Sequence, residues 1–352
     1  MELIGDRAPA VCPSLGLNAY DRRVQESRLT VAAPGRLDGP LEQYRGELTA
    51  YCYRMLASPF DAEDAVQETL VRAWRGLDRF EGRAAIRSWL YRIATNVCLD
   101  LLKSRKRRAR PMDLGPAREP VLESLNALPE ATWVQPLPDE AAGAEDGDPA
   151  DVAVARETLR LAFVAALQHL PPRQRATLIL CEVLRWQAVE VAELLETSVP
   201  AVNSALQRAR ATLDAADVAT GARPPLDAAD HELLTRYVDA FQRYDMDALV
   251  SLIHEDATQS MPPYDLWLRG RDDVLAWWFG PGIGCQDSRV IPAPAANGSP
   301  AFAQYKRSPE GGYAPWALQV VELAGGRIAE FTFFLDTETL FPLFGLPARL
   351  ES

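Results

Sequence analysis

Apolar residues recur at helical spacing over two stretches, 41–109 and 152–214, while the stretch between them keeps no period. In the first, Leu48, Tyr51, Cys52, Met55 and Leu56 form a stripe closed by "SPFD". Asp61 is a suitable N-cap for a second helix, with Ala65, Val66, Thr69, Leu70, Ala73 and Trp74 on its inner face. "RFEGR" breaks the pattern at Gly82. A third helix follows, with Ile86, Trp89, Leu90, Ile93, Ala94, Val97, Leu101 and Leu102 on one side. Arg87, Arg92, Asn96 and Asp100 lie on the other.

Residues 111–151 hold seven prolines and ten acids, a composition that predicts a linker too polar to bury a core. One apolar spot within it, "TWVQPLPDE", is a candidate docking segment. Helical spacing returns in "LRLAFVAALQHL", stops at Pro171-Pro172 and resumes in "RQRATLILCEVL". The remainder to Leu213 reads as helix, short turn, helix, with Ser198 as cap and Pro200 in the tolerated first turn. Val202, Ala205, Leu206, Ala209 and Leu213 face inward there. From about residue 226 the pattern predicts a helix near 230–244, a second capped by Asp247, and a third in "GRDDVLAWWF". Strand-like runs follow near 287–292, 301–307, 315–323 and 327–335, with "AGGR" marking a hairpin. Helices first and antiparallel strands after them describe an α+β domain.

A length of 352 residues divides into two or three domains, and 48% hydrophobic content is enough to pack their cores. No apolar run reaches membrane-spanning length, so no membrane association is expected. The first 40 residues lack a basic-then-apolar leader pattern, which predicts a cytoplasmic protein with a loosely ordered N-terminal extension. The cysteines, Cys12, Cys52, Cys98, Cys181 and Cys285, lie far apart without CxxC or Cys/His pairing. They are expected to be buried thiols, with no disulfide framework and no metal site.

Charge changes the picture once it is divided along the chain. The net charge is −12, yet residues 83–110 carry nine Lys or Arg and a single acid, Asp100. Residues 111–155 carry ten acids and one Arg, and residues 214–352 twenty acids against ten basic residues. Such asymmetry indicates a localised contact with a polyanion. Cations at a helix C-terminus favour its dipole, but that accounts for one or two and not for the six between Lys103 and Arg110. A phosphate backbone would relieve their repulsion. Trp89 and Tyr91 add aromatic surface of the kind that stacks on unpaired bases, although core packing also accounts for Trp89.

The helix after the short turn leaves Asn203, Ser204, Gln207, Arg208 and Arg210 exposed. A helix so placed can enter the major groove, where Asn and Gln pair with adenine and Arg with guanine or phosphate. A helical hairpin with a solvated polar face is the alternative.

"DAEDAVQETLVRAW", "RSWLYRIATNVCLDLLKSRKRR" and "LPPRQRATLILCEVLRWQAVEVAELLETSVPAVNSALQRARATL" together resemble regions 2 and 4 of bacterial extracytoplasmic-function sigma factors. "HEDATQSMPPYDLWLRGRDDVLAWW" resembles a SnoaL-type cone domain. The layout is similar to the subgroup that carries this domain as a C-terminal extension, including the linker motif around "WVQPLPD". The implied fold is multidomain: two all-α domains joined by an acidic linker, followed by an α+β cone domain. The implied bounds are an extension over 1–40, region 2 over 41–110, a linker over 111–151, region 4 over 152–215 and the cone domain over 226–350.

The resemblance also implies partners, namely core RNA polymerase, through its β′ clamp helices and β flap, and promoter DNA. It assigns polymerase binding to Asp64, Gln67, Glu68, Arg72 and Trp74. It assigns the −10 element to Arg83, Arg87, Trp89, Arg92 and Asn96, with Lys103, Arg105, Arg107 and Arg108 on phosphates. The −35 element falls to Asn203, Ser204, Gln207, Arg208 and Arg210. The acidic linker would imitate RNA in the polymerase channels. Arg185 and Glu196 depart from the family, which often has Gly at both places; at Glu196 a left-handed residue is common, at about 1 kcal/mol for a non-Gly side chain.

Cone domains can be enzymes, ligand binders or scaffolds. His254, Asp256 and Asp265, with Arg269 and Tyr305, are the acid–base candidates, and His254 also reads as a helix-end surface residue. Trp267, Trp277, Trp278, Phe302, Trp316, Phe331 and Phe333 are expected in the core. The sequence thus predicts a non-enzymatic promoter-specificity subunit with a domain regulating it in cis, no cofactor, and a small ligand of that domain left open. A stand-alone helix-turn-helix regulator and a cyclase-like enzyme fused to a DNA-binding module are the alternatives.

Overall fold

The computed structural model describes residues 41–77, 80, 85–104, 107–143, 157–215 and 226–351. The N-terminal extension, Arg83 and Arg105 lie outside them. The described residues from 43 onward form one compact unit.

Three helices open it: α1 (Arg45–Leu56), α2 (Pro59–Gly76) and α3 (Ile86–Lys103). The stripe on α1 is buried as its spacing requires, and Ala57 ends the helix in a left-handed conformation at φ 57°. Asp61 is not the cap of α2. Ser58 is, accepting from the Asp61 backbone N–H at 3.3 Å, with Pro59 in the first turn where its missing N–H costs nothing. Trp74 is not on the inner face either, being 62% exposed. It lies about 100° round the helix from buried Ala73, far enough to leave the apolar stripe. Cys52, Cys98, Cys181 and Cys285 form no disulfide; the first two are buried and the last two half-buried, and Cys12 lies outside the described residues.

The segment after α3 departs most from expectation. It has little regular structure, yet every residue from Trp133 to Pro138 is buried. Its backbone groups, which burial would otherwise leave unpaired, are taken by neighbouring segments. Ala109 N–H donates to Thr132 O at 2.7 Å, Val134 N–H to Ala109 O at 3.0 Å, and Gln135 N–H to Ala57 O at 3.1 Å. The stretch 115–128 lies along the C-terminal domain: Trp267 Nε1 donates to Gly115 O at 2.8 Å and Leu128 N–H to Pro263 O at 2.9 Å. Proline and charge predicted a solvated linker with one docking spot, "TWVQPLPDE"; that spot holds the buried stretch, and proline lowers the number of donors its burial must satisfy.

Helices α4 (Leu161–Leu167) and α5 (Pro172–Leu178), a wider turn over Ile179–Val183, α6 (Ala188–Leu194) and α7 (Val199–Ala215) follow. Val202, Ala209 and Leu213 of α7 are buried and Ala205 and Leu206 half-buried, matching the helical period.

The C-terminal domain starts with α8 (Ala228–Arg243) and α9 (Met246–Leu252). Asp245, not Asp247, caps α9, accepting from Ala248 N–H at 3.0 Å. Strand β1 (Ile253–Ser260) was missed by sequence reasoning, and His254 lies in it, not at a helix end. Then come β2 (Trp267–Arg269), α10 (Arg271–Phe279), β3 (Arg289–Ala296), β4 (Ser299–Arg307), β5 (Tyr313–Ala324), β6 (Arg327–Phe334) and α11 (Thr337–Leu343). The sheet order is β2-β1-β6-β5-β4-β3, with β1 parallel to β6 and the other pairs antiparallel. Gly325 and Gly326, at φ 59° and 70°, make the tight β5–β6 turn. Trp277, Trp278, Phe302, Phe331 and Phe333 are core, whereas Trp267 and Trp316 are half-buried.

Arg108 ties α2 to the linker. Its guanidinium meets Asp61 Oδ2 at 3.0 Å and donates to Trp133 O at 2.8 Å and Glu130 O at 3.3 Å, with 9% and 13% of the two side chains exposed. Removing one partner of a buried pair strands the other charge. Arg108→Gln is therefore expected to lower unfolding stability by about 3–5 kcal/mol in urea titration. Lys103→Gln, at an exposed pair with Asp100, should leave the midpoint in place.

Candidate functional site

The structure separates the sequence-predicted residues into three faces. On α2, Asp64, Gln67, Glu68, Arg72 and Trp74 all lie on the exposed side. Gln67 Nε2 donates to Glu63 at 3.0 Å and Arg72 pairs with Glu68 at 2.6 Å, one helical turn apart. An exposed tryptophan among alternating charges is the composition in which interfaces are enriched, and here it stands over a buried apolar stripe.

The second face is on α3. Arg92 and Asn96 are exposed; Arg87 and Trp89 are half-buried. Trp89 packs against Phe80 with ring centroids 4.9 Å apart. Arg87 pairs with Glu47 at 2.8 Å and lies over the Tyr91 ring at 5.2 Å. Lys103 and Arg107 are exposed at the helix end, but Arg108 is not a surface cation: it belongs to the buried pair with Asp61. Its place in the basic run was misleading because residues 130–133 close over it.

The third face is on α7. Asn203, Ser204, Gln207, Arg208 and Arg210 are exposed together, one polar stripe opposite the buried one. Arg208 donates to Ser204 Oγ at 2.6 Å, and Arg210 pairs with Glu182. The turn before α7 carries Glu196 at φ 51°, and Arg185 sits at φ 58°. Both positive angles lie where the sequence departs from glycine.

The first and third faces stay open, whereas the second meets the helix-turn-helix unit. Trp186 packs edge-on against Tyr91 at 5.2 Å, Arg87 lies 6.0 Å from the Trp186 ring, and Arg92 donates to Glu193 O of α6 at 3.3 Å. Deeper in this contact, Arg175 donates to the carbonyls of Met55, Gln168 and Leu170, and Arg54 to Thr158 Oγ1 at 2.8 Å. Burial lowers both guanidinium pKa values to about 10. Sequence reasoning missed Trp186, Glu193 and Arg175, for nothing in a linear pattern says which surfaces fold onto each other.

In the C-terminal domain the acid–base candidates are not brought together. His254 Nδ1 accepts from Asp256 N–H at 3.1 Å on the exposed side of β1. Asp265 is held by Arg118 at 2.7 Å and Asn126 at 3.2 Å, both from the linker. Arg269 is exposed. Tyr305 donates to Pro347 O at 2.9 Å, and burial pushes its phenol up to about 12. Inside the domain a relay runs from Tyr237 OH to Gln319 at 2.8 Å, from Gln319 to Gln304 at 2.9 Å, from Gln304 to Ser288 at 3.0 Å and from Ser288 Oγ to Cys285 O at 2.6 Å. Among the described residues no His, Cys, Asp and Glu group could hold a metal, and no helix is long and apolar enough to cross a membrane.

Comparison with known proteins places three family models on the chain: sigma-70 region 2 over residues 41–108, sigma-70 region 4 over 160–213 and a SnoaL-like domain over 234–331. The ECF RNA polymerase sigma factor SigG of Mycobacterium tuberculosis is 45% identical over 323 residues, 90% of this chain and 85% of the relative. The ECF sigma factor SigJ of the same organism is 30% identical over 254 residues, 69% of this chain and 74% of the relative. The crystal structure of M. tuberculosis SigJ shares the fold at a TM-score of 0.55 and 23% identity, covering 88% of this chain and 98% of that one.

The left-handed residue before α7 has a measurable consequence. Glu196→Gly is expected to raise the stability of the full chain by about 1 kcal/mol in thermal or urea unfolding, by relieving backbone strain.

Proposed function

Because the chain belongs to the extracytoplasmic-function sigma factors of RNA polymerase, we propose that the compact arrangement is its resting form and that the C-terminal domain regulates it in cis. Sigma factors partner with RNA polymerase and promoter DNA. The finer assignment proposed here puts Asp64, Gln67, Glu68, Arg72 and Trp74 on the β′ clamp helices. Arg87, Trp89, Arg92 and Asn96 take the −10 element, with Lys103 and Arg107 on its phosphates. The exposed stripe of α7 takes the −35 element, and region 4 meets the β flap. Arg108 is withdrawn from the DNA set because it is buried in an ion pair.

One observation carries the reading: Arg92 of the −10 face donates to Glu193 in the helix-turn-helix unit. The two promoter elements lie roughly 20–25 base pairs apart, about 70–85 Å of duplex. Helix α7 spans 17 residues, about 25 Å, and packs on α6, which itself lies against α3. A chain in this form cannot place both readers on one promoter. Core polymerase would have to compete with the closed state, and a bias of about 1–3 kcal/mol changes activity roughly 5–150-fold.

Regulation, not catalysis, suits the C-terminal domain. The polar side chains of the Tyr237–Gln319–Gln304–Ser288 relay satisfy one another, so a substrate entering there would have to displace them. One oxygen of the domain's Asp265 is taken by Arg118 and Asn126 of the linker.

Transcription reconstituted with core polymerase tests this directly. The full chain should initiate from a −35/−10 promoter, and Asp64→Arg or Glu68→Arg should weaken core binding without unfolding it. Tight, specific binding to duplex DNA without polymerase would favour a stand-alone regulator instead. A chain ending at Gly221 should differ from full length in core affinity or promoter activity within the same 5–150-fold range; equal activity would remove regulation in cis. Neutralising Lys103 and Arg107 together should flatten the log–log salt slope of holoenzyme–promoter binding by roughly 2. Substituting Asn203 or Gln207 should change preference at one −35 position by about 1–3 kcal/mol.

A further inference from the structure

A hairpin tip is ordinarily its most solvated part. The β3–β4 tip is the reverse: Ala296, Asn297 and Ser299 are at most 3% exposed. Asn297 and Gly298, at φ 55° and 73°, form the two-residue turn that Asn-Gly favours, which sets a short amide at the apex. That amide makes bonds to three segments. Nδ2 donates to Tyr53 OH at 2.8 Å on α1 and to Leu159 O at 2.5 Å before α4. Oδ1 accepts from Leu137 N–H of the linker at 2.8 Å, while the Asn297 backbone N–H donates to Leu137 O at 3.0 Å. Tyr53 OH in turn donates to Gln135 O at 2.7 Å, and Gly298 N–H donates to Asp139 Oδ1 at 2.8 Å.

Each of these side-chain partners lies outside the C-terminal domain. The turn itself is held by β3–β4 pairing, with Ala296 opposite Ser299. The fold of the domain therefore does not require the Asn297 amide, while the closed arrangement uses both its N–H groups and its oxygen.

We propose that Asn297 is the latch of the closed form: one amide joins the polymerase-binding region, the linker and the start of region 4. The proposal rests on the resting-form reading above and names the residue that maintains it. Opening releases every partner to water at once, so the latch leaves no orphaned group in the open chain. In the closed chain it accepts no substitute, because a carboxylate of the same shape loses both donors and brings an unpaired charge into a buried site.

The test uses full-length Asn297→Asp and Tyr53→Phe, with the distance between α2 and the C-terminal domain read by fluorescence energy transfer and the overall size by small-angle scattering. Asn297→Asp should raise the open population at least roughly tenfold, and Tyr53→Phe several-fold. Hydrogen exchange in β3 and β4 checks that the hairpin is intact. An intact Asn297→Asp chain as compact as the parent overturns the latch. If that variant loses its hairpin, Tyr53→Phe decides: it changes no residue of the hairpin, and unchanged compaction there overturns the proposal equally. A variant that opens while core affinity and transcription stay the same establishes the latch and removes the regulatory reading instead.

Discussion

The buried stretch from Trp133 to Pro138 is the constraint on which the rest of the compact unit depends. An irregular segment can be buried only if each of its backbone groups finds a partner, and here the partners come from both sides. Region 2 supplies Ala57, Ala109, Tyr53 and Arg108; the C-terminal domain supplies Asn297. Neither neighbour could close over the segment alone without leaving polar groups unpaired on its other side. The C-terminal domain is thus joined to region 2 through a shared strand of main chain, a contact that cannot slide as an apolar surface can.

Charge then explains why one basic run does two jobs. Arg108 anchors the linker from within, while Lys103 and Arg107 stay outside for phosphates under the proposed reading. Arg54 and Arg175 are likewise buried in the region 2–region 4 contact, Arg54 donating to Thr158 O and Oγ1 and Arg175 to the carbonyls of Met55, Gln168 and Leu170. Guanidinium groups suit such places because several donors in a fixed plane can satisfy several carbonyls together.

Much of this was legible in the sequence where a period or a motif carried it. The helices of both sigma regions, the exposed stripe of α7, the hairpin at Gly325-Gly326 and the four C-terminal strands follow from spacing and turn chemistry. Strand β1 was missed because "HEDATQS" is too polar to read as a strand; it is built by pairing with β6. Ser58 was passed over for Asp61 because both residue types cap well, and Pro59 decides between them. Arg108 could not be told from its neighbours, since burial of one cation in a run depends on what folds over it. Asn297 did carry a signal, an Asn-Gly pair between two strand-like runs, but the pair predicts only a turn and not what the turn inserts into.

Tyr53 and Asn297 are 244 residues apart in the chain. Synthesis at about 5–20 residues per second separates their appearance by roughly 10–50 s. Region 2 ends at residue 108, so it is complete for the last 189 of those residues (297 − 108), and during them Tyr53 lacks the Asn297 amide. Each newly made copy therefore passes through a window in which the helix proposed to bind polymerase exists before the domain proposed to fasten it. The order of translation itself sets the length of that window, with no signal and no partner required.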